Sequence, residues 1–349
     1  MKKGIKALGM NMEASKGDVM VYELNKEYTY DGDVECGKLG YHYFESIRDV
    51  MILYNLNESR LFECELNGDK FDHDDMVHCT NKIKLIREIS KEEITKYIED
   101  NLDELVNDEY EDVRLNVTIQ GYGLDKLIND KDEDVRCEVV RQRYGLDILI
   151  NDKHWLVRRE VAKQGYGLDI LINDEEWRVR KEVASQGYGL DKLVNDKDWE
   201  VREEVVKYGY GLDILINDDK NDVRLEVAKQ GYGLDKLIND KDWIVREEVA
   251  KHGYGLDKLI NDEDEDVRKE VAKQGYGLDK LVNDENWKVR KEVAIQGYGL
   301  DILVNDGHED VRLEVARHGY GLDKLVNDGY WFVRTEATHQ LELRKNKEN

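Results

Sequence analysis

Proline is absent from all 349 residues and cysteine occurs only four times, so neither proline-built turns nor a disulfide scaffold organises this chain. Cys36, Cys64, Cys79 and Cys137 form no C-x-x-C pair, and free thiols in a reducing compartment are the expectation. No apolar run is long enough to span a bilayer, and Met1, Lys2, Lys3 and Gly4 do not open a signal peptide. A cytoplasmic protein without a membrane partner is therefore expected. Positive charge is scarce as well, with 53 Lys+Arg against 78 Asp+Glu. Direct binding of DNA or RNA needs a basic footprint, and that class is excluded. The missing proline, set beside abundant Lys, Asn, Ile, Asp and Tyr, fits an AT-rich genome of bacterial or phage type.

Catalytic signatures are also lacking. There is no G-x-S-x-G, H-E-x-x-H, P-loop or dinucleotide fingerprint, because each Gly-Tyr-Gly-Leu-Asp has neither a strand before it nor a long helix after it. His42, His73 and His78 with Cys36, Cys64 and Cys79 match no familiar zinc spacing. No catalytic residue, metal or cofactor is expected.

What is present is a 22-residue unit repeated eleven times from residue 99 to residue 340. Residues 121–142, GYGLDKLINDKDEDVRCEVVRQ, show it most plainly, and it recurs without insertion at 143, 165, 187, 209, 231, 253, 275, 297 and 319. The first copy is imperfect, with Glu99, Asp100 and Asn101 in place of Gly-Tyr-Gly. With Gly121 as position 1, positions 4, 7, 8, 15 and 19 are apolar, a helical spacing on two separate faces. So short a period cannot hold two ordinary helices. It predicts a 3₁₀-like turn or very short α-helix followed by an α-helix of about ten residues.

Local chemistry sets the boundaries. Asp at position 10 or 12 (Asp130, Asp132) can cap the second helix, and Gly at position 1 supplies the left-handed residue that ends it. One unit cannot bury its Leu, Ile and Val alone, so the fold predicted is a stacked, right-handed α-solenoid whose stability comes from neighbour interfaces. Position 16 is Arg and position 10 is Asp in all eleven copies. Residues fixed in every copy belong to the stacking geometry, and an Arg–Asp ladder through Asp130, Arg136, Asp152, Arg158, Asp174, Arg180, Asp196 and Arg202 is expected between neighbours.

The pattern L-x-x-L-[IV]-x-D-x-x-x-x-V-R-x-E-V-[AV], as in residues 190–206 (LDKLVNDKDWEVREEVV), resembles the leucine-rich repeat variant family and, more loosely, HEAT-like repeats. The resemblance implies a short 3₁₀ segment alternating with an α-helix, and a surface for binding. The Gly-Tyr-Gly turn departs from the Pro-containing turns of such repeats.

Charge and the variable positions carry the functional reading. The first 98 residues hold 14 Lys+Arg and 19 Asp+Glu, leaving 39 against 59, net −20, for the rest. An array about 100 Å long would match duplex DNA carrying roughly 59 charges, so nucleic-acid mimicry requires the acids to segregate to one face. All six tryptophans, Trp155, Trp177, Trp199, Trp243, Trp287 and Trp331, occupy position 13. Other copies place Glu or Asn there, so the site has access to water. The indoles are expected either to anchor a partner or to cover the Arg three residues on, as Trp199 over Arg202.

Residues 1–89 lack the repeat and predict a small α+β domain, with strands at 18–24, 60–66 and 82–88 and a helix around 46–54. Ser90 to Glu93 form a capping box, after which Ile94, Tyr97, Ile98 and Leu102 make an apolar face that covers the first repeat. The solenoid with its cap is expected over 90–340 and a polar tail over 341–349. Gly40-Tyr41-His42-Tyr43, a helix, and Ser59-Arg60-Leu61-Phe62-Glu63 resemble an uncharacterised domain common in phage and bacterial genomes, over about residues 4–89. The same turn, helix and strand resemble ADP-ribosyltransferase-like folds, which implies an NAD-handling segment, though no complete glutamate-centred site is found. The reading favoured is a non-enzymatic, acidic, protein-binding repeat protein of phage-related type. It would act as an inhibitor or nucleic-acid-mimicking decoy of a host defence protein with a basic or nucleic-acid-binding surface. A structural or assembly scaffold is the alternative, and an NAD-handling enzyme in residues 1–89 the second.

Overall fold

A computed structural model describes residues 2–12, 20–34, 39–72 and 77–348. The chain divides into two compact units, residues 1–182 and 183–349.

The first unit begins with two small antiparallel sheets and a helix. These are β1 (Lys2–Gly9), β2 (Glu27–Thr29), β3 (Tyr41–Tyr43), α1 (Ile47–Leu53), β4 (Ser59–Leu66), β5 (Lys70–Asp72), β6 (His78–Thr80) and β7 (Lys82–Glu88). The larger sheet has the order β1-β4-β7-β2 and the smaller β3-β6-β5. A register shift at Glu63/Cys64 bends β4 against β7. Leu8, Phe62, Cys64, Ile83 and Leu85 fill the core with a cluster of Tyr22, Tyr28, Tyr41 and Tyr43. The strands expected at 60–66 and 82–88 and the helix at 46–54 are found, whereas residues 20–24 form no strand beyond a single bridge at Val21. Residues 18 and 19 lie outside the described residues. β1 was not foreseen.

Next come α2 (Lys91–Asp100), α3 (Leu102–Leu105) and α4 (Glu111–Ile119). Ser90 and Glu93 close the capping box reciprocally, and Ile94 and Ile98 are buried. From here the same pair of helices recurs every 22 residues in both units, as in Leu124–Leu127 with Glu133–Arg141 and Leu234–Leu237 with Trp243–Lys251. The short segment is a single α-turn whose ends tighten to 3₁₀, since Leu127 N–H donates to Gly123 O while Lys126 donates to Gly123 O and Asp130 to Leu127 O. Fully buried Val135, Val139, Val157 and Val161 show how neighbouring long helices within a unit press their apolar stripes together. Each such side chain contributes about 1.5–3 kcal/mol once neighbours cover it, which a lone repeat cannot do.

Two glycines shape each turn for different reasons. Gly123 and its equivalents at position 3 sit at φ near 60° and precede the short helix, and a Cβ on Gly167 would lie 2.0 Å from Ile150 Cδ1. At position 1 the backbone is left-handed and the space is open at Gly121, Gly165, Gly209, Gly253 and Gly275, although a Cβ on Gly187 would lie 2.8 Å from the Tyr208 ring; Arg143 stands at this position at φ 58°. The last helix runs from Trp331 to Glu348, so the stretch expected as a polar tail continues the helix up to that residue.

Candidate functional site

Each repeat has one edge where the short helix hands over to the long helix and one at the turn before the short helix, which is Gly-Tyr-Gly in nine of the eleven copies. The scaffold between them is built on the arginine and aspartate at positions 16 and 10. Arg136 Nε donates to Asp152 Oδ2 at 2.7 Å, Nη2 donates to Oδ1 at 2.9 Å, and Nη1 donates to the Asp130 carbonyl of its own repeat at 2.7 Å. Asp152 Oδ1 also accepts from His154 N–H at 2.8 Å. Both side chains are under a tenth exposed. Arg158 and Asp174 repeat the arrangement, as do Arg202 and Asp218. Arg180 Nη1 binds the Asp174 carbonyl at 2.8 Å, and Asp196 O accepts from Arg202 Nη1 at 2.8 Å. The shared carboxylate holds the Arg202 guanidinium above its ordinary range, with burial opposing it. Position 10 is thus given to the ladder, and capping falls to position 12, where Asp132 accepts from Asp134 and Val135 N–H.

The hand-over edge carries positions 11 to 14. Summed over eleven copies, these hold 20 Asp+Glu against 7 Lys+Arg, while the eleven ladder aspartates are matched by eleven arginines. Excess acid therefore concentrates at the starts of the long helices, where carboxylates also suit the positive end of the helix dipole. Elsewhere acids are paired along the helix, as in Arg141–Glu138 at 3.0 Å and Lys229–Glu226 at 3.0 Å.

Each of the six tryptophans opens the long helix of its own repeat, but their surroundings differ. Trp155, Trp177, Trp199 and Trp287 are half-buried, whereas Trp243 is 38% and Trp331 68% exposed. Arg178, at position 14, lies 5.0 Å from the Trp155 ring and 4.5 Å from the Trp177 ring, so one guanidinium serves two indoles. His308, from the repeat that follows, stacks on Trp287 at 3.8 Å. Arg202 turns its fork to the Asp218 carboxylate of the next repeat, and the cation placed over Trp155 and Trp177 is Arg178.

Two features went unread in the sequence. Tyrosine at position 2 is 40–43% exposed in Tyr144, Tyr166, Tyr188, Tyr210, Tyr232, Tyr254, Tyr276, Tyr298 and Tyr320, a second exposed aromatic in each of these repeats. Its signal was identity in ten copies without a core position to explain it. Asparagine at position 9 is exposed in every copy. Asn239 accepts from Lys258 of the next repeat, beside an open cleft of about 620 Å³ bounded by Asp240, Arg246, Asn261 and Asp262.

In the N-terminal domain, Tyr41 and Tyr43, expected in a turn, lie on strand β3 and are buried in the core, and Glu63 is paired with Arg87 at 2.8 Å. Lys6 is buried, donates to the His42 carbonyl at 2.7 Å, and is lowered to about 8 by burial. No group of three metal-ligating side chains occurs among the described residues, and Cys36 and His73 lie outside them. No helix is long and apolar enough to cross a membrane.

Residues 2–97 match a family described as a domain of unknown function, DUF7666. No curated protein matches the chain. Among solved structures, a chain of the Pds5–Scc1 complex studied for cohesin function is similar at 15% identity and TM-score 0.23, over 72% of this chain and 47% of that one. This chain thus spans about half the length of that relative. A computationally designed armadillo repeat protein for modular peptide recognition is similar at 14% identity and TM-score 0.11, over 72% of this chain and 94% of the other.

Proposed function

We propose that this is a non-enzymatic binding protein that engages another protein along the edge where its long helices begin. Tryptophan and acid coincide on that edge, at the positions where the copies differ, and this coincidence carries the proposal. Positions 11 to 14 are released from stacking, yet they gather all six indoles and most of the uncompensated charge. Indoles supply large apolar contact area with few rotatable bonds, and an acidic rim steers a basic surface to them. The partner is a protein with a basic or nucleic-acid-binding face. In its specific form the chain is a phage-related, cytoplasmic inhibitor that occupies that face as a decoy for nucleic acid. The exposed tyrosines of the Gly-Tyr-Gly turns favour a second reading, a scaffold that holds two partners at once.

The immobilised full-length chain is incubated with host lysate, and the captured protein is then measured by surface plasmon resonance across a salt series. The on-rate should fall as salt rises through the physiological range, where screening acts beyond about 8 Å. The captured protein should also lose nucleic acid in competition. A partner that keeps its nucleic acid while bound contradicts the decoy form and leaves the scaffold.

A further inference from the structure

A stacked array leaves an apolar face open at its first unit unless something covers it. Here α1 of the N-terminal domain packs on α4, the first long helix. When Ile47, Arg48, Met51 and Ile52 are laid on positions 15, 16, 19 and 20 of the repeat, each meets its equivalent in Val135, Arg136, Val139 and Val140. Arg48 then treats Asp108 as the other ladder arginines treat the next repeat. Its Nε lies 2.6 Å from Asp108 Oδ2 and its Nη2 3.0 Å from Oδ1, against 2.7 and 3.0 Å for Arg114 and Asp130. The pair is 60 residues apart in the chain instead of 16.

The first repeat departs from the others on the side that meets α1. Position 18 is Glu in the ten later copies and Asn116 in the first. Asn116 is buried, its Nδ2 donates to the carbonyls of Met51 at 2.8 Å and Tyr54 at 3.1 Å, and its Oδ1 accepts from Leu56 N–H at 3.0 Å. These groups lie at the C-terminal end of α1, where helix carbonyls have no partner within the helix. Gln120 reaches Asn57 just beyond, at 2.8 Å.

We propose that α1 is repeat zero, so that the N-terminal domain, whose family carries no assigned activity, serves in this chain as the cap that starts the ladder. The α2 helix foreseen for that task supplies the lead into α3, while the ladder itself begins at Arg48.

Native-state hydrogen exchange with mass spectrometry on the full-length chain tests this, using Arg48→Ala, Asn116→Glu and the control Arg60→Ala. Asn116→Glu installs the residue that every later repeat accepts, so it spares the solenoid's own packing and decides the matter even if Arg48→Ala fails to fold. The control removes an exposed pair with Glu88 in the same domain. Both test variants should speed exchange in α1, α3 and α4 on the order of 100-fold, fading over the next repeats and leaving Glu309–Arg317 unchanged. Unchanged exchange in α1, α3 and α4, equal acceleration at Glu309–Arg317, or the same effect from Arg60→Ala would overturn the proposal.

Discussion

Arg224→Ala asks most of the ladder. The Arg224 guanidinium lies 2.6 and 2.8 Å from the two oxygens of Asp240 and donates to the Asp218 carbonyl at 2.8 Å. Both side chains are 5–6% exposed. Truncation leaves a buried carboxylate with one remaining donor, Asp242 N–H at 2.9 Å, and the carbonyls of Asp218 and Asp219 without their guanidinium. Removing one member of a buried pair costs about 3–5 kcal/mol, because the other charge stays desolvated. Water entering beside the deleted side chain points to the lower end, near 3 kcal/mol. In an array held by neighbour terms, a loss of that size at one interface should also split the unfolding transition. Urea unfolding followed by circular dichroism and tryptophan fluorescence reads both effects. Lys229→Ala is the reference, since Lys229 and Glu226 form a surface pair with the lysine 47% exposed, worth under about 1 kcal/mol. If Arg224→Ala costs no more than Lys229→Ala and the transition keeps its slope, the ladder does not hold the repeats together.

Backbone strain separates the two turn positions: Arg143→Gly should stabilise by about 1 kcal/mol, the cost of a left-handed non-glycine residue, while Gly167→Ala should destabilise by at least that much because its Cβ also meets Ile150. Thermal melts showing both variants neutral would contradict this. Burial raises the Asp240 carboxyl, but Arg224 and Asp242 N–H outweigh it and leave the group below its ordinary value; at Asp328 the Arg312 guanidinium is the main cause of the same direction. The folded state therefore binds fewer protons than the unfolded one, so this stability is present above the ordinary aspartate range and lost as pH falls through and below about 4. In about 0.5 M salt, which screens general repulsion, a urea midpoint that rises on acidification from pH 5 to 3 would refute it. Burial pushes the Cys64 and Cys137 thiols up to about 12. Iodoacetamide at pH 8 should spare both in the native chain and modify both in urea, as read by peptide mapping.

The helical array was legible because period, apolar spacing and turn glycines all point the same way. The ladder could be named from Arg and Asp fixed in every copy, since identity without variation marks stacking. Other features needed three dimensions. β1, with Lys2, Lys3, Gly4 and Gly9, has little of the alternation or β-branched content that marks a strand, and becomes one by pairing along the length of β4. Arg48 lies 60 residues from Asp108 in a seven-residue helix, so no period leads to it. The cover over Trp155 and Trp287 comes from the following repeat, at positions that vary from copy to copy. Tyrosine at position 2 was passed over because a fixed residue was read as scaffold, yet the residue stays 40–43% exposed in nine copies.

Trp243→Glu tests the binding edge most directly, once the partner is in hand. Position 13 already accepts glutamate at Glu265 and Glu309, so the substitution spares the fold while removing an exposed indole and adding a negative charge. If the indole anchors the partner, as proposed, surface plasmon resonance should show a faster off-rate and a loss of about 2 kcal/mol, roughly 30-fold in affinity. Affinity that is unchanged or tighter would contradict the account, leaving charge alone, or another surface, to bind the partner.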